Sequence, residues 1–466
     1  MQDVFNSRDS HDLPLHRVRL GVLSGAVGCA LLLGAGASVA QTDWVTYVEE
    51  PSRLSVAAEF GADDEQEKDF ASGDLDKDGD VDVVIARKVP FSVAGGHANV
   101  LLMNENGVLT DRTGTLVPAF LDMTDDRDII LADFDGDTWL DMVVAGTFDE
   151  IPRIYMNRGE TAGGVWLGFA YEEARIPDFD PGPKFCAVAA GDVTGDGRPD
   201  LYFTDYDNTL EDRLLINNGS GFFTDETETR MTSAMVDSTF GTDAHIVDVN
   251  RDTFLDIVKN NASGETPPPG FQASTTVMYN DGTGNFTSVD TIYEEAGYMI
   301  EPADFTGDGF VDFFIVDDGQ DRYLRSAGNN AQGFATFTTH TVSTSPNTIF
   351  FGGNVKFADL DNDTILDVVI ADVDTDVGGC NREPALLRGT GTQPDIDYGD
   401  PISGANRPWL PRGVFDIEPM DIDGDGVLDL LMGTCNGTRV FMGVLPNIFN
   451  DDFESGDTSR WTLEFP

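Results

Sequence analysis

The sequence predicts an all-β protein, a β-propeller of seven blades. Three observations lead to this fold class. A nine-residue acidic pattern recurs seven times along the 466-residue chain. Short apolar runs follow the copies, and 50 glycines and 22 prolines supply the many turns that short strands require. A fixed period with variable filler is typical of a repeat architecture, in which each unit packs on its neighbours.

The acidic pattern is clearest in its first copy, D-L-D-K-D-G-D-V-D, which runs from Asp74 to Asp82 and leads into an apolar run. The copies begin at Asp74, Asp133, Asp192, Asp248, Asp304, Asp359 and Asp421. Their spacings of 59, 59, 56, 56, 55 and 62 residues give a period near 58. We number the loops one to seven in this order, and the positions within each loop one to nine.

Each unit holds four short strands. One precedes the acidic loop, one follows it, a third runs into an Asn/Gly turn, as at Asn104 and Asn280, and a fourth follows that turn. Four strands per unit match a propeller blade better than a solenoid turn. The seventh unit stops after residues 440–442, whereas residues 44–47 form an isolated strand near the start. We therefore expect the N-terminal strand to complete the last blade and close the ring.

Charge excludes several classes of function. The chain has 28 Lys and Arg against 83 Asp and Glu, a formal net charge of −55. A nucleic-acid binder needs a basic surface, and anionic lipid repels an acidic one, so we expect neither partner. Disorder is the usual reading of such acidity, but 40% hydrophobic and 10% aromatic residues can build a core. The charge also makes polyanionic ligands less favourable than neutral glycans or proteins.

The first 40 residues have the features of a secretory signal. Arg17 and Arg19 precede an apolar stretch over residues 20–39, and a small-residue cleavage site ends at Ala40. A transmembrane anchor and a lipid attached at Cys29 are the alternatives, and both are less favoured. We predict a signal peptide over 1–40, a propeller over 41–445 and a tail over 446–466. The mature protein should be a monomer without a membrane span, secreted or at the cell surface, with the periplasm as another location.

The acidic loops carry the chemistry. Oxygens at positions one, three, five and nine can converge on one centre, where the carboxylates would repel one another without a cation. Calcium takes 6–8 oxygens and suits this donor set better than magnesium does. An EF-hand is excluded because position twelve is Ile85 in loop one and Met432 in loop seven. We expect up to seven structural calcium ions. The predicted ligands are Asp74, Asp76, Asp78, Asp82, Asp133, Asp135, Asp137, Asp141, Asp192, Thr194, Asp196, Asp200, Asp248, Asn250, Asp252, Asp256, Asp304, Thr306, Asp308, Asp312, Asp359, Asp361, Asp363, Asp367, Asp421, Asp423, Asp425 and Asp429.

The seven loops are not equal. Loops one and seven have the full D-x-D-x-D-G, whereas loops three and five have threonine at position three. Loops two, four and six replace the glycine at position six by Thr138, Thr253 and Thr364. A β-branched residue there is strained if the position needs a positive φ. Loop four is weakest, with Asn250 at position three and Arg251 beside it. An acidic turn without metal is the alternative for each loop.

The repeats resemble the FG-GAP/VCBS family, whose members include the propellers of integrin α-chains. Phe240-Gly241 and Phe351-Gly352 stand eight residues before their loop aspartates, as the family's name-giving dipeptide does. The resemblance covers roughly residues 43–445. It implies a calcium-loaded propeller that serves mostly in recognition. Some relatives are polysaccharide lyases, so a carbohydrate-active enzyme on the same scaffold is the alternative function.

Binding is favoured over catalysis. No common catalytic motif is present. His245, Glu301, Lys356 and Glu418 should line the central channel, either as a site or, more simply, to solvate the axis. Trp139, Trp166, Tyr206 and Trp409 could stack on sugars or pack between blades. The most variable loops join the second and third strands, at residues 90–97, 205–212, 267–269 and 372–384, and we expect a glycan or protein ligand on that face.

Three cysteines follow the predicted signal. Cys380 and Cys435 occupy the same loop in adjacent blades, so they either form a disulfide or remain two free thiols. Cys186 lies on a first strand and should be a buried thiol. The tail resembles short F-E-S-G…W endings of exported bacterial proteins, and either adds a strand or acts as a sorting tag.

Overall fold

The computed structural model describes residues 44–444, apart from 57–63, 91–94, 149–150, 208, 237–239, 263–272, 296, 317–320, 343–351, 373–379, 393–394 and 404–408. The chain divides into two units after Trp44, and the unit that begins at Val45 is the one described below. The predicted signal and tail lie outside the described residues. So do Phe351, residues 267–269 and most of the predicted loop at 372–384.

Seven antiparallel sheets correspond to the seven repeats. The first contains β3 (Glu67–Gly73), β4 (Asp82–Lys88), β5 (Val100–Asn104) and β6 (Leu109–Asp111), with β2 (Leu54–Ser55) parallel to β6. The second contains β7 (Asp126–Ala132), β8 (Asp141–Gly146), β9 (Arg153–Asn157) and β10 (Phe169–Tyr171). The third contains β11 (Phe185–Gly191), β12 (Asp200–Asp205), β13 (Arg213–Asn217) and β14 (Phe223–Asp225). The fourth contains β15 (Gly241–Val247), β16 (Asp256–Asn261), β17 (Ser274–Asn280) and β18 (Phe286–Tyr293).

The remaining three sheets follow the same order. The fifth contains β19 (Met299–Ala303), β20 (Asp312–Val316), β21 (Arg322–Asn329) and β22 (Ala335–Thr341). The sixth contains β23 (Gly352–Ala358), β24 (Asp367–Asp372), β25 (Ala385–Gly389) and β26 (Ile396–Ser403). The seventh contains β27 (Val414–Met420), β28 (Asp429–Thr434), β29 (Gly437–Val444) and, as its outer strand, β1 (Thr46–Glu49). β1 pairs antiparallel with β29, so that Thr46 lies opposite Val444.

The first strands form a ring. They contact one another in the cyclic order β3, β7, β11, β15, β19, β23, β27 and back to β3. The predicted seven-bladed propeller is therefore confirmed. Helices among the described residues are single turns: α1 (Thr113–Leu116), α2 (Thr227–Arg230), α3 (Ser233–Val236) and the 3₁₀ turns Pro51–Arg53, Pro118–Leu121 and Glu173–Arg175. None of the helices in this described part is long and apolar enough to cross a membrane.

The second strand of each blade explains the apolar runs in the sequence. Every residue of β4, β12 and β28 is buried, because neighbouring blades cover both faces of these strands. The buried side chains form clusters that join adjacent blades. Ile130 of the second blade, for example, shares one cluster with Phe203 of the third, and Phe314 of the fifth shares another with Val368 of the sixth. Blade-to-blade burial therefore holds the ring together.

Candidate metal centres

All seven acidic loops lie at one end of the ring, because each joins the first strand of its blade to the second. Position nine is the first residue of the second strand, and all seven aspartates there are buried. Antiparallel pairing puts the loops between second and third strands at the opposite end. That placement agrees with the sequence-based expectation for both sets of loops.

The position-nine carboxylate fastens the acidic loop to the sheet. In all seven blades one oxygen accepts a backbone N–H from the third strand, at 2.7–2.9 Å. The donor is the last residue of that strand in five blades, Gly443 near the end of β29 in the seventh and Ser326 within β21 in the fifth. The other oxygen accepts the N–H of loop position two at 2.8–3.2 Å in six blades. In loop five it accepts the N–H of Thr306 at 3.3 Å. The sequence indicated a ligand here but not this second, structural role.

Burial alters the ionisation of these carboxyl groups. It raises the pKa of Asp82, Asp141 and Asp256 to about 8, although two backbone N–H donors oppose the shift. The pKa values of the four others are also raised by burial: Asp200 and Asp367 to about 7, Asp312 and Asp429 to about 6. A buried carboxylate is costly without a compensating charge, so a cation in the loop would favour its ionised form.

The carboxylate at position one organises the turn. In loops two to seven it accepts the N–H groups of positions five and six, at 2.7–3.1 Å. Loop one differs, because Oδ1 of Asp74 is buried and has no hydrogen-bond partner. An unpartnered buried carboxylate oxygen is rare in proteins, and a bound cation would satisfy it.

Positive φ angles occur at two positions of each loop. At position six, Gly79 and Gly426 have φ of 99° and 84°, and the predicted strain is present at Thr138, Thr253 and Thr364, with φ of 76°, 77° and 74°. Position four is also left-handed, which the sequence analysis missed. Four loops have glycine there, whereas Lys77, Arg251 and Asn362 adopt φ of 61°, 59° and 59°. The glycines at 136, 195, 307 and 424 are the feature of the sequence that indicates a left-handed backbone at position four.

Four loops bring three carboxylates together. In loops one, two, six and seven, one oxygen from each of three aspartates lies within 4.8 Å of the others. The groups are Asp74, Asp76 and Asp78; Asp133, Asp135 and Asp141; Asp359, Asp361 and Asp367; and Asp421, Asp423 and Asp425. These are the loops with aspartate at position three. The residue at position three therefore distinguishes the loops with three converging carboxylates from the other loops better than the residue at position six does. Hard oxygen donors at this spacing, with Oδ1 of Asp74 and of Asp361 unpartnered, fit a calcium ion.

The asparagine that ends the third strand links neighbouring blades. Nδ2 of Asn104 donates to the carbonyl of Ile422 at 2.9 Å, so the first blade holds position two of loop seven. The same bond joins Asn157 to Leu75, Asn217 to Phe134 and Asn280 to Val193, at 2.7–2.9 Å. These asparagines hold the acidic loops of neighbouring blades in place by hydrogen bonds, although they are not among the predicted ligands. Their recurrence before a turn was visible in the sequence, but their partners were not.

The polar residues predicted to line the axis contact one another and the backbone. Nζ of Lys356 lies 3.1 Å from Asp416 and also pairs with Glu418. His245 Nε2 bonds to the Ile300 carbonyl at 2.7 Å. Burial lowers the pKa of His245, but Asp243, Glu301 and the Ile300 carbonyl together outweigh burial and raise it to about 9. These contacts bridge blades four to five and six to seven, as expected if the polar ring stabilises the axis.

A row of aspartates on the first strands also ties the blades together. Asp69, Asp128, Asp243 and Asp416 each accept the backbone N–H of the next blade's first strand, at 2.6–3.2 Å. The donors are Ile129, Val188, Ile300 and Phe70. Burial raises the pKa of Asp128 to about 6. Part of the acidic excess is thus used in bonds between blades.

The four aromatic residues singled out from the sequence all have packing partners. Lys77 lies over the ring of Trp139 at 4.3 Å, and Trp166 packs edge-on against Phe169. Tyr206 contacts Phe148 and Phe240, and Trp409 contacts Tyr47 and Phe441. Trp166 also borders a cavity of about 410 Å³ beside loop one. The cavity is lined by Asp76, Asp78, Asp80, Met103, Asn104, Glu105, Asn106, Arg112, Leu116 and Trp166.

The cysteines occupy the opposite end of the ring. A disulfide joins Cys380 to Cys435, with Cα atoms 6.0 Å apart. Gly413, with φ of 66°, lies against it, and a Cβ there would come within 2.6 Å of the Cys380 Cβ. Cys186 is a free thiol in β11 and is buried, and burial raises its pKa to about 11.

Comparison with known proteins agrees with this architecture. FG-GAP-like repeats match residues 74–144, 192–258 and 304–370, each beginning at position one of an acidic loop. The chain therefore carries FG-GAP-like repeats in three regions of a seven-bladed β-propeller. No curated protein matches it significantly.

Three solved structures match the chain at low identity, each with a TM-score below 0.5. An Agrocybe aegerita lectin that recognises non-reducing terminal N-acetylglucosamine is 17% identical, with 80% of this chain and 86% of the lectin covered and a TM-score of 0.48. BBS1N in complex with ARL6DN is 11% identical, with 87% and 98% covered and a TM-score of 0.47. The Photorhabdus luminescens Tc holotoxin pore is 14% identical, with a TM-score of 0.40, and this chain, covered over 79%, spans 16% of it.

Proposed function

We propose that the protein is an exported calcium-binding propeller that binds an extracellular glycan or protein. The observation that carries the proposal is the convergence of three carboxylates in each of loops one, two, six and seven. Calcium bound in loops one, two and seven would neutralise this mutual repulsion and fix the turn between the first two strands. In loop one, Asp74 would supply the unpartnered buried oxygen described above.

Calcium in this role is structural. The same loop carboxylates already accept backbone N–H groups from the loop and from the third strand, so loss of the cation should weaken the turn rather than unfold the blade. Extracellular calcium modules bind at about 10⁻⁴–10⁻³ M, so occupancy would follow the calcium concentration outside the cell.

Two surfaces can receive the ligand. One is formed by the loops between second and third strands, as the sequence suggested. The other is the cavity beside loop one, where Trp166 offers an aromatic face next to Asp76 and Asp78. Sugars commonly stack on such rings while polar groups fix their hydroxyls. A ligand in this cavity would lie beside the calcium site of loop one, so its binding should depend on calcium.

A glycan array in calcium and in chelator tests the proposal. Calcium-dependent retention without new reducing ends or unsaturated products supports a binding module. Turnover would instead support the carbohydrate-active alternative. Trp166→Ala should abolish retention if the cavity is used, whereas Trp139→Ala, on the same end of the ring, should not. Retention that survives Trp166→Ala assigns the ligand to the opposite loops. No retention of any glycan or protein partner, in either condition, would refute the binding function.

A further inference from the structure

Loop six contains a cation of its own. Arg388, on β25, reaches back to the acidic loop of the same blade. Its Nη2 lies 2.7 Å from Oδ2 of Asp361 and 3.1 Å from Oδ2 of Asp363. These are positions three and five, two of the four predicted ligands. The Asp361 side chain is only 8% exposed, whereas Arg388 is 43% exposed. The guanidinium therefore neutralises a nearly buried carboxylate from the solvent side.

The position of Arg388 is defined in every blade. The next residue, Gly389, gives its N–H to the position-nine carboxylate of Asp367, as Asn104 does to Asp82 in the first blade. The residues equivalent to Arg388 are Met103, Met156, Ile216, Tyr279, Arg325 and Met442. The other six blades therefore have an apolar, aromatic or differently paired residue there.

Arg325 provides the contrast. It occupies the equivalent site in the fifth blade, but its Nη1 pairs with Asp395 at 3.3 Å rather than with loop five. Arg53 contacts loop seven, where it bonds to Asp423 at 3.1 Å. Within the part of the chain that the structure describes, Arg388 is the one arginine with ion pairs to two carboxylates of the same acidic loop.

A guanidinium and a calcium ion would have the same electrostatic effect in loop six. Both neutralise converging carboxylates, and two like charges in one small loop repel each other. Each Oδ2 that pairs with Arg388 is less available to a metal ion, which leaves fewer oxygens for calcium, an ion that prefers 6–8. Oδ1 of Asp361 nevertheless stays buried without a partner, and oxygens of Asp359, Asp361 and Asp367 remain within 4.8 Å of one another.

We propose that Arg388 is the built-in cation of loop six, so that this loop keeps its shape without calcium and becomes a calcium site when Arg388 is removed. The proposal rests on the proposed function in one respect: the other three carboxylate clusters are taken as calcium sites. It assigns the sixth blade a calcium-independent turn in a ring whose remaining clusters depend on the ion.

Counting bound calcium tests this assignment. Equilibrium dialysis against calcium gives the number of ions per chain for wild type, Arg388→Met and Arg325→Met. Methionine is the residue that the first, second and seventh blades carry at this site. Arg388→Met should bind one more ion per chain than wild type, and its melting temperature should rise more on addition of calcium. Arg325→Met should bind the same number of ions as wild type.

Each outcome decides between the two proposals. If wild type binds no calcium but Arg388→Met binds one ion, the proposed calcium function fails and the role of Arg388 stands. If wild type binds calcium and Arg388→Met binds the same number, the role of Arg388 is overturned. Arg388→Lys keeps the charge and should retain the wild-type count, which covers the case in which the methionine variant does not fold. A lysine variant that gains an ion would also overturn the proposal.

Discussion

The side-chain amide of Asn104 donates to the carbonyl of Ile422 across 318 positions of sequence, at 2.9 Å. This bond ties the first blade to the acidic loop of the seventh. Because the backbone N–H of Asn104 simultaneously bonds to Asp82, one residue couples the acidic loops of two blades. A conformational change in loop one or loop seven can therefore be transmitted to the other loop through Asn104.

The asparagine bridge predicts a large stability loss on truncation. Asn217 is buried and donates to the carbonyls of Phe134 and Pro199 at 2.8 and 3.1 Å. Asn217→Ala leaves these acceptors unpaired and should lower the free energy of unfolding by about 2–3 kcal/mol. Urea unfolding measures the change. The exposed neighbour in Asn218→Ala is the control, with an expected loss below about 0.5 kcal/mol. Equal losses in the two variants would contradict the bridge.

Calcium should stabilise the protein through loop one. For a dissociation constant of about 10⁻⁴–10⁻³ M, 10 mM calcium adds roughly 1.4–2.7 kcal/mol per site. Asp76→Asn should lose this increment in a calcium-dependent thermal melt. Asp80→Asn changes position seven, which is expected to offer only its backbone carbonyl, and should keep the increment. If chelation leaves the wild-type melting temperature unchanged, the calcium sites do not exist.

The pH dependence of the calcium-free protein follows from the position-nine carboxyls. The pKa of Asp82, Asp141 and Asp256 is raised to about 8, whereas an unfolded aspartate titrates near roughly 4. The folded state then binds more protons than the unfolded chain between these values, so stability should fall as pH rises from about 5 to 8. Calcium favours the ionised form and should reduce this fall. Melts in calcium-stripped and calcium-containing buffers measure both slopes, and a calcium-stripped protein that gains stability with pH would contradict the assignment.

The disulfide should stabilise the ring by closing a long loop. Cys380 and Cys435 are separated by 55 residues, for which loop-closure entropy gives roughly 4 kcal/mol. The double change Cys380→Ser and Cys435→Ser should lower stability by that order and remove any effect of reductant on melting. Cys186→Ala alters the free thiol instead and should leave the reductant effect intact. A wild-type protein that is insensitive to a strong reductant would oppose this assignment.

Strain at position six predicts a stabilising substitution. Thr253 has φ of 77°, a conformation that costs a β-branched residue about 1 kcal/mol or more. Thr253→Gly should therefore raise stability by about 1 kcal/mol, because glycine adopts this angle freely. Thr253→Ala removes the branch but keeps a Cβ and should gain less. Thermal unfolding of the three proteins gives the order, and a glycine variant less stable than wild type would show that the angle is not strained.

The repeat made the fold predictable. A register of aspartates fixes where each turn lies, and the apolar run after it can only be a strand buried on both faces. The contacts between repeats were not predictable, because Asn157 and Leu75, or Arg388 and Asp361, meet only once the blades are stacked. The left-handed angle at Lys77 was hidden for another reason: loop one has lysine at this position, and only the glycine at the equivalent position of other loops, such as Gly136, indicates a positive φ. The sequence therefore identified the seven acidic loops, whereas the structure showed which of them bring three carboxylates together.

Pairing of Thr46 with Val444 has a consequence for how the protein acquires its structure. β1 leaves the ribosome almost 400 residues before its partner β29, so the seventh blade is the last of the seven that can be finished. Until β29 is made, β1 has no partner in its own blade, and its open edge can pair with another chain. The ring can therefore close only at the end of synthesis. Slow folding, and swapping of β1 between molecules, are the failures that this topology favours.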